Sequence, residues 1–536
     1  MESLVLILTF PLAVCIIYTF FKFLFILSFE SHKKYEIKKL PLPPGPSPTL
    51  FILKNVVNFL LQYQKKASFD LETILQDLKR KHGSIFHLRL LASRSEILIC
   101  SHSLAHQALV EKSAIFSNRP TTYQNRPNAH KIISTSNGPT WHLLRRNLSS
   151  EMFSASRMIK SYANTRRMAL GRLIKQLASQ MASHQPINVM EHFRFSVFSL
   201  LVTMCFGDHN LAEAKIKEIE TVQLIILVRH TWLNVFDFWR GLRNILFSKQ
   251  REEFIRARKD QENMFIPLIR ARKKAKQERE QDYDEPVAYV DTLFDLQLPD
   301  EKRALNEKEI VSLCGEFLNA GTDTIATSLE WIMANLVKYP EIQEKLYQEI
   351  VRVVGEPDVL NDGMVKERDL EKMPYLKATV LEGLRRHPPG HFVLPHLVAE
   401  DVELDKYTIP KNAKVNFMLA EMSWDPTVWE NPMKFQPERF LPTRFSAHDE
   451  LYSPQILDIK GGKRELKMMP FGAGRRMCPG SRFALLHLEY FVANLVWYSK
   501  WKAIDGIGVD LSERHNFTVV MKNPLRAHMF PRVKSV

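Results

Sequence analysis

The chain has 536 residues, of which 45% are hydrophobic and 25% are charged, a balance that excludes a disordered polymer. Its five cysteines (Cys15, Cys100, Cys205, Cys314 and Cys478) are widely scattered, which argues against a disulfide framework and a structural zinc site. The net charge of +15 comes without any nucleic-acid motif, so we expect the basic surface to face anionic lipid or an acidic protein, and no nucleic acid.

The first 29 residues predict a transmembrane anchor. Residues 3–21 are 19 positions without a charge, and a helix of that length spans about 28 Å, close to the hydrocarbon core of a bilayer. Four lysines between residues 33 and 39 follow, and the positive-inside rule places this side in the cytosol. A cleaved signal peptide is the alternative, but its positive charges would precede the apolar run.

Beyond the anchor, four prolines within residues 41–46 cannot continue a helix. They predict a stiff connection, which we assign to residues 30–50. No linker or internal repeat divides the remainder, so we expect a single domain over residues 51–536.

Helical periodicity dominates this domain, and shorter alternating segments indicate strands. We therefore expect a mainly α fold with a minor β part. The run of mixed charges over residues 250–283 is typical of a solvated helix and loop. The predicted helices cover residues 309–337, 341–354, 374–386 and 481–500, and the predicted strands cover residues 84–90, 96–100, 402–409 and 517–521.

Residues 471–480 carry the strongest chemical signal. Cys478 precedes an apolar helix that we expect to begin near Ser481. The free N–H groups and the dipole at a helix N-terminus stabilise a thiolate. A thiolate that ligates a haem iron pushes electron density onto the metal and favours O–O cleavage. The segment therefore predicts haem ligation through Cys478, and the alternative is a buried structural cysteine in a glycine-rich turn.

The other residues of this segment suit the same task. Gly474 and Gly480 allow the backbone to approach a flat macrocycle without a Cβ clash. Phe471 can pack over the sulfur side and exclude water. Arg476 can pair with a haem propionate.

The pattern F-x-x-G-x-R-x-C-x-G in residues 471–480 resembles the haem-binding signature of the cytochromes P-450. The resemblance covers the whole chain and points to the plant microsomal A-type branch. Residues 138–148 and 520–525 look like the plant family numbered eighty-nine. The resemblance implies the cytochrome P-450 fold, with a long central helix over the haem and a cysteine-ligand loop, plus the N-terminal transmembrane helix.

A second motif, residues 320–324, lies inside the long helix predicted over residues 309–337. One aspartate and two threonines are poor choices for a plain core helix, and threonine can bond back to a carbonyl one turn earlier and bend the helix. Such a bend beside a haem opens a groove for O2 and water, where Thr324 and Asp323 can relay protons. The string resembles the family's oxygen-activation motif.

Glu382 and Arg385 lie three residues apart on one helix face. The resemblance implies that they form a buried charge triad with Arg439 of a P-E-R-F string, behind the cysteine loop. These three residues are thus expected to be structural, and removal of one should leave uncompensated buried charge and block haem loading.

Trp141 and Arg145 are four residues apart, on one face of another helix. The pair resembles the family's W-x-x-x-R string, which implies that Arg145 binds a haem propionate. His396 follows Pro395 at a position where the family often places an arginine or histidine toward the other propionate.

The resemblance also implies the reaction. The enzyme would use haem b (iron protoporphyrin IX), O2 and electrons from NADPH, delivered by an NADPH–cytochrome reductase that docks on basic residues around Arg146 and Lys467. The protein would be a single-pass protein of the endoplasmic reticulum membrane, with its catalytic domain facing the cytosol. Its substrate would be a hydrophobic small molecule. The expected pocket residues are Phe317, Ala320, Phe392, Val393, Leu394 and Val519.

Two other functions stay open. A haem-thiolate isomerase or lyase rearranges peroxides without O2 or a reductase, but such branches tend to lose the acid–threonine pair and to alter the cysteine loop, and this chain has both. A non-catalytic membrane haem-binding protein would show a haem spectrum without NADPH-driven O2 consumption.

Overall fold

A computed structural model describes most of the chain between residues 40 and 532. The predicted anchor over residues 1–29 lies outside the described residues, as does most of the predicted connection over residues 30–50. The described ranges are residues 40–46, 71–88, 96–120, 130–181, 185–235, 248–278, 287–357, 364–441, 456–460 and 463–532.

Helices make up most of the described chain, and short strands form a minor part, as predicted. The main helices are α1 Leu71–His82, α2 His102–His106, α3 Pro139–Asn147, α4 Ala163–Met181, α5 Val189–Phe206, α6 Glu213–Val235, α7 Ser248–Glu278, α8 Tyr289–Leu293, α9 Glu307–Lys338, α10 Pro340–Val354, α11 Glu367–Leu370, α12 Pro374–Arg386, α13 Leu419–Ser423 and α14 Ser481–Tyr498. The strands are β1 Ile85–Leu88, β2 Glu96–Ile99, β3 Ile187–Asn188, β4 Gln297–Leu298, β5 Arg303–Ala304, β6 His396–Leu397, β7 Val402–Leu404, β8 Tyr407–Ile409, β9 Lys414–Phe417, β10 Ile456–Lys460, β11 Lys463–Met468, β12 Ser499–Ala503, β13 Glu513–His515, β14 Val519–Met521 and β15 Arg526–Pro531.

The chain divides into two compact units, and the single domain expected over residues 51–536 stays a prediction. The smaller unit holds the residues up to Pro120 together with Phe392–Met418, and the larger unit holds Thr121–His391 and Leu419–Val536. Within the smaller unit, a four-stranded sheet has the strand order β1-β2-β9-β6, in which β2 and β9 run parallel.

Residues 402–409, predicted as a strand segment, form a hairpin in which β7 pairs antiparallel with β8. Asp405 adopts a positive φ of 53° at the turn, and aspartate is one of the few residues other than glycine that tolerates this conformation. The strand signal was therefore correct, but one aspartate at the turn reverses the chain within the predicted segment.

Helix α9, with 32 residues, is the central element of the larger unit. It starts with a capping box: the Asn306 side chain accepts the N–H of Glu309 at 3.0 Å, and the Glu309 carboxylate accepts the N–H of Asn306 at 2.8 Å. Most of its side chains are buried, in the same hydrophobic core as those of α5, α12 and α14. The predicted helix over residues 309–337 is thus confirmed, and the structure begins it at Glu307 and ends it at Lys338.

Three other predicted helices were found as α10, α12 and α14, but α14 is shorter than predicted. The structure ends it at Tyr498, and Ser499–Ala503 form β12, paired antiparallel with β15. Burial alternates along β12, and Trp501 is only 1% exposed. Apolar residues with a period of two continue directly from a helical run here, so the sequence alone does not mark the boundary.

Among the described residues, α5 alone is long and apolar enough to cross a membrane. However, 72% of that helix is buried inside the protein, which is typical of a core helix.

Candidate functional site

The cysteine loop, residues 471–480, precedes α14 in the larger unit. The N–H of Cys478 donates to the carbonyl of Phe471 at 2.8 Å, which closes the loop. Gly472 and Gly474 have φ angles of 71° and 66°, a left-handed conformation that glycine adopts without a Cβ penalty. Gly480 has an ordinary φ of −89° at the helix start. Gly474 is thus required by the backbone of the loop itself, whereas Gly480 is not.

The Cys478 thiol is half-buried and lies beside the first turn of α14. Burial raises its pKa, while the backbone N–H of Gly480 and the positive charge of Arg145 act in the opposite direction. A hydrogen bond and a cation that favour the charged form are the features that prepare a cysteine to act as a thiolate ligand.

Arg476 of this loop, together with Trp141 and Arg145 of α3, forms a cluster beside Cys478. The Arg476 guanidinium lies 4.0 Å from the centre of the Trp141 ring, a cation–π contact. Its Nη2 donates to the carbonyl of Thr135 at 2.7 Å. Arg145 donates to the carbonyl of Met477, inside the cysteine loop. The structure therefore brings Trp141, Arg145, Arg476 and Cys478 together in one place.

This set of donors fits a haem ligated through sulfur. Cys478 offers the soft axial ligand, and the guanidinium groups of Arg145 and Arg476 are suited to the two carboxylates that haem carries. In the structure both guanidiniums contact backbone carbonyls, which are weaker partners for them than carboxylates. Phe471 is half-buried and packs against the hydrophobic core at the start of the loop.

On α9, the side chains of the 320–324 motif bond as the threonines predict. The Thr324 hydroxyl donates to the carbonyl of Ala320 at 2.7 Å, and the Thr322 hydroxyl donates to that of Leu318 at 2.7 Å. Such back-bonding satisfies a buried hydroxyl within its own helix. Thr324 is therefore already engaged with the helix backbone at the point where the sequence predicts a groove.

Asp323 has partners outside its own helix. Its Oδ1 lies 2.9 Å from Nη2 of Arg194 on α5, and its Oδ2 accepts the hydroxyl of Thr518 at 3.0 Å. Arg194 also lies 3.4 Å from Glu220. Asp323, Arg194 and Glu220 line a cavity of about 10 Å³, which is room for about one water molecule.

The three residues of the predicted charge triad are in contact and buried. Glu382 accepts from Nε of Arg385 at 2.7 Å, and Nε of Arg439 lies 3.4 Å from its other oxygen. Arg385 also donates to the carbonyls of Ser423 at 2.9 Å and Pro432 at 2.7 Å. These bonds join α12 to the part of the chain that precedes Arg439.

The expected pocket residues are divided between the two units. In the larger unit, Phe317 stacks on Tyr289 with ring centres 4.9 Å apart, Ala320 is half-buried, and Val519 is buried in β14. Phe317 is thus a member of the core.

In the smaller unit, Phe392 and Leu394 are exposed, and Val393 donates its N–H to Phe417. His396 is buried there, and its Nδ1 lies 2.5 Å from the carbonyl of Phe116.

Sequence reasoning missed three polar residues that the structure places on α9 or in contact with its 320–324 motif. They are Arg194, Glu316 and Thr518. Glu316, for example, accepts two backbone N–H groups from residues 132 and 133. The signal that could have found Arg194 and Glu316 is a charged residue inside an otherwise apolar helix.

Comparison with known proteins shows the family of this chain. The sequence profile of the family described as Cytochrome P450 matches residues 43–530. The chain is 42% identical over 523 residues to Cytochrome P450 89A9 of Arabidopsis thaliana, covering 95% of this chain and 96% of that protein. It is 28% identical over 522 residues to flavonoid 3'-monooxygenase of the same plant, covering 95% of each chain.

Among solved structures, the chain resembles a zebra fish cytochrome P450 determined with progesterone. The TM-score is 0.69 at 19% sequence identity, over 87% of this chain and 100% of that chain. This likeness shows the fold. Because the family profile covers nearly all of the described chain, and because the match to the 42% identical relative covers 95% of the chain, the chain belongs to the cytochrome P450 family of monooxygenases, in the plant branch numbered eighty-nine.

Proposed function

We propose that this chain is a membrane-anchored monooxygenase that inserts one atom of O2 into a hydrophobic small molecule, with haem b bound through Cys478. The observation that carries the proposal is the arrangement of the cysteine loop, in which a half-buried thiol meets the N–H of Gly480 and the charge of Arg145 at the start of a helix. The haem, when bound, supplies the reductive activation of O2 and the oxidation itself.

The protein's own residues bind, orient and move protons. Arg145 and Arg476 would hold the carboxylates of the cofactor, with His396 as a further partner. Asp323 and Thr324 would relay protons from water to the reacting oxygen. The water-sized cavity beside Asp323 supports this role, because a proton relay needs a source within hydrogen-bond reach.

We place the enzyme in the endoplasmic reticulum membrane, held by a single span over residues 1–29 with the catalytic part in the cytosol. The uncharged N-terminal segment followed by lysines supports this placement. Epitope tags at the two termini, probed with protease on sealed microsomes, test it. The expected result is a C-terminal tag that protease removes and a short N-terminal tag that it does not reach.

Electrons would come from NADPH through a membrane-bound reductase. Lys467 and the exposed Arg146 on α3 are the basic residues proposed to meet an acidic reductase. Charge reversal at Arg146 should slow reductase-supported turnover and leave peroxide-supported turnover unchanged. Equal reductase-supported rates in the two proteins would contradict this docking surface.

The proposed substrate is a hydrophobic small molecule. Curated relatives at 28% identity act on different compounds by name, among them a flavonoid 3'-monooxygenase and a tabersonine 16-hydroxylase. The aromatic and aliphatic residues predicted for the pocket are consistent with an apolar molecule.

The deciding experiment is a reduced carbon-monoxide difference spectrum of the membrane-bound protein beside a Cys478→Ala variant. We expect the long-wavelength Soret band of thiolate-ligated haem in the first protein and its loss in the second. A band that survives the substitution would contradict Cys478 as the ligand. NADPH-driven O2 consumption with reductase then separates a monooxygenase from a non-catalytic haem binder, and from an isomerase that needs no reductase.

A further inference from the structure

Glu316 on α9 makes an interaction that the proposed reaction does not use. Its Oε2 accepts the N–H of Ile132 at 2.6 Å, and its Oε1 accepts the N–H of Ile133 at 2.9 Å. Both oxygens of one carboxylate are therefore bound to two successive peptide groups, 184 residues away in the chain. Hydrogen bonds to a charged acceptor are stronger than neutral ones, so this pair anchors the segment firmly.

The same segment is held from its other side by residues of the proposed haem site. The carbonyl of Ile132 accepts Nε1 of Trp141 at 3.0 Å and Nη1 of Arg476 at 3.3 Å. Ile132 thus lies between the carboxylate of α9 on its N–H side and the tryptophan–arginine pair on its carbonyl side.

A second carboxylate of α9 extends the contact. Oε1 of Glu309 lies 3.5 Å from Nε2 of His130, and Glu309 precedes Glu316 by seven residues, which is two turns on the same helix face. Residues 130–133 therefore follow α9 for two turns. Glu309 is also paired with Arg303 at 2.7 Å. The two oxygens of Glu316, in contrast, both accept from the backbone of residues 132 and 133.

The chemistry of the interaction explains why a carboxylate stands at this position. Two adjacent N–H donors need two acceptor oxygens, which a carboxylate offers and a glutamine amide does not. In the amide, the NH2 group would face one of the two donors. Burial raises the pKa of Glu316, and the two backbone N–H groups oppose that rise.

Glu316 also lies two turns before Thr324 on α9, and it is half-buried while most of its neighbours are buried. Residues 132 and 133 belong to the stretch 118–135, which the family resemblance implies contributes to the substrate pocket, and Ile132 contacts Trp141 and Arg476 of the proposed haem site. We propose that Glu316 is a positioning residue, which fastens residues 132–133 to α9 and thereby limits the size of the molecule that reaches the catalytic site. This inference rests on the proposed function, because it assumes a haem site beside α9.

Hydrogen–deuterium exchange of the full-length, haem-loaded protein tests the anchor directly. In Glu316→Gln, peptides that contain residues 132 and 133 should exchange at least about tenfold faster than in the unsubstituted protein, since a hydrogen bond to a charged group is lost. The matched control is Glu330→Gln: this carboxylate is also on α9, is buried, and accepts one backbone N–H, that of Leu525 at 3.0 Å. The control should speed exchange at Leu525 and leave residues 132 and 133 unchanged.

Binding of two azoles tests the consequence for access. Imidazole is small, whereas clotrimazole is bulky, and both report their binding through the Soret band. In Glu316→Gln the association rate of clotrimazole should rise about tenfold, as expected for an anchor of this strength, and that of imidazole should not change. Glu330→Gln should leave both rates unchanged.

Four outcomes are decisive. Unchanged exchange at residues 132 and 133, or an equal effect on the two azoles, overturns the proposed role of Glu316. Loss of the haem spectrum in Glu316→Gln but not in Glu330→Gln also overturns it, because Glu316 would then be needed to assemble the haem site. Absence of that spectrum in the unsubstituted protein instead defeats the proposed function, and exchange measured on the haem-free full-length protein still tests the anchor.

Discussion

Arg194 on α5 forms an ion pair with Asp323 on α9, with Nη2 and Oδ1 2.9 Å apart. The second oxygen of Asp323 accepts the hydroxyl of Thr518 at 3.0 Å. The acidic residue of the 320–324 motif is therefore held by α5 on one side and by the residue before β14 on the other. Both contacts are made by side chains of the protein itself, so the fold sets the orientation of Asp323.

Replacement of Arg194 by Gln should destabilise the protein and disturb the reaction. The buried Asp323 would lose its counter-ion, and breaking a buried pair by removing one partner typically costs about 3 kcal/mol or more. We expect a lower denaturation midpoint and a larger share of consumed NADPH that ends as hydrogen peroxide. Arg194→Lys keeps the charge and should recover part of both properties; a Gln variant as stable as the original protein would contradict the ion pair.

Loss of the Glu382 carboxylate should be far more damaging than loss of an exposed one. In Glu382→Gln, Arg385 and Arg439 remain buried without their counter-ion, at a cost of about 3–5 kcal/mol. We expect little haem incorporation and a strongly lowered midpoint of unfolding.

The matched control for that variant is Glu218→Gln. Glu218 pairs with Lys215 at the same spacing and the same 2.7 Å distance, but both side chains are exposed. Surface pairs contribute about 0–1 kcal/mol, so haem content should stay normal. Similar losses in the two variants would show that burial is not the reason for the effect.

The two glycines of the cysteine loop should respond differently to alanine. Gly474 has a φ of 66°, and an alanine in this conformation costs about 1–2 kcal/mol, so Gly474→Ala should destabilise the protein even without haem. A Cβ on Gly480 would come no closer than 3.6 Å to Phe153, an ordinary contact. Gly480→Ala should therefore leave the haem-free protein as stable as before and weaken haem binding.

Chemical denaturation of the haem-free variants and titration with haem measure these two effects separately. Normal haem binding by Gly480→Ala would show that the macrocycle does not approach this residue. Equal stability of the Gly474→Ala variant and the original protein would contradict the left-handed conformation of Gly474.

His387 should make the protein less stable in mild acid. It is fully buried, stacks on Trp331 with ring centres 4.0 Å apart, and burial lowers its pKa from 6.5 to about 4. Between these values the unfolded chain binds a proton that the folded protein does not. The contribution of His387 to stability is therefore complete above pH 6.5, and it declines as the pH falls toward 4, by about 1.4 kcal/mol per pH unit.

His387→Gln lacks this titration. The difference in free energy of unfolding between the original protein and the variant should thus shrink as the pH falls from 6.5 to 4.5. Urea denaturation at several pH values measures it, and parallel curves for the two proteins would show that His387 does not titrate in this way.

Local signals in the sequence predicted the elements well. The helical periodicity of α10 and α12 and the long apolar run of α9 marked real helices. The boundary at Ser499 and the reversal at Asp405 were missed, because both depend on strand partners elsewhere: β12 pairs with β15, and β7 pairs with β8. Sequence periodicity describes one segment at a time and contains no information about its partner.

The sequence by itself determined the family, the helical fold, the candidate ligand Cys478 and the grouping of its motifs, because short patterns carry these properties. Only the tertiary structure decided that Arg194 holds Asp323 and that Glu316 holds Ile132 and Ile133. A charged residue in an apolar helix must find a partner when it is buried. Which partner it finds depends on how distant helices and loops pack, and no local pattern records that packing.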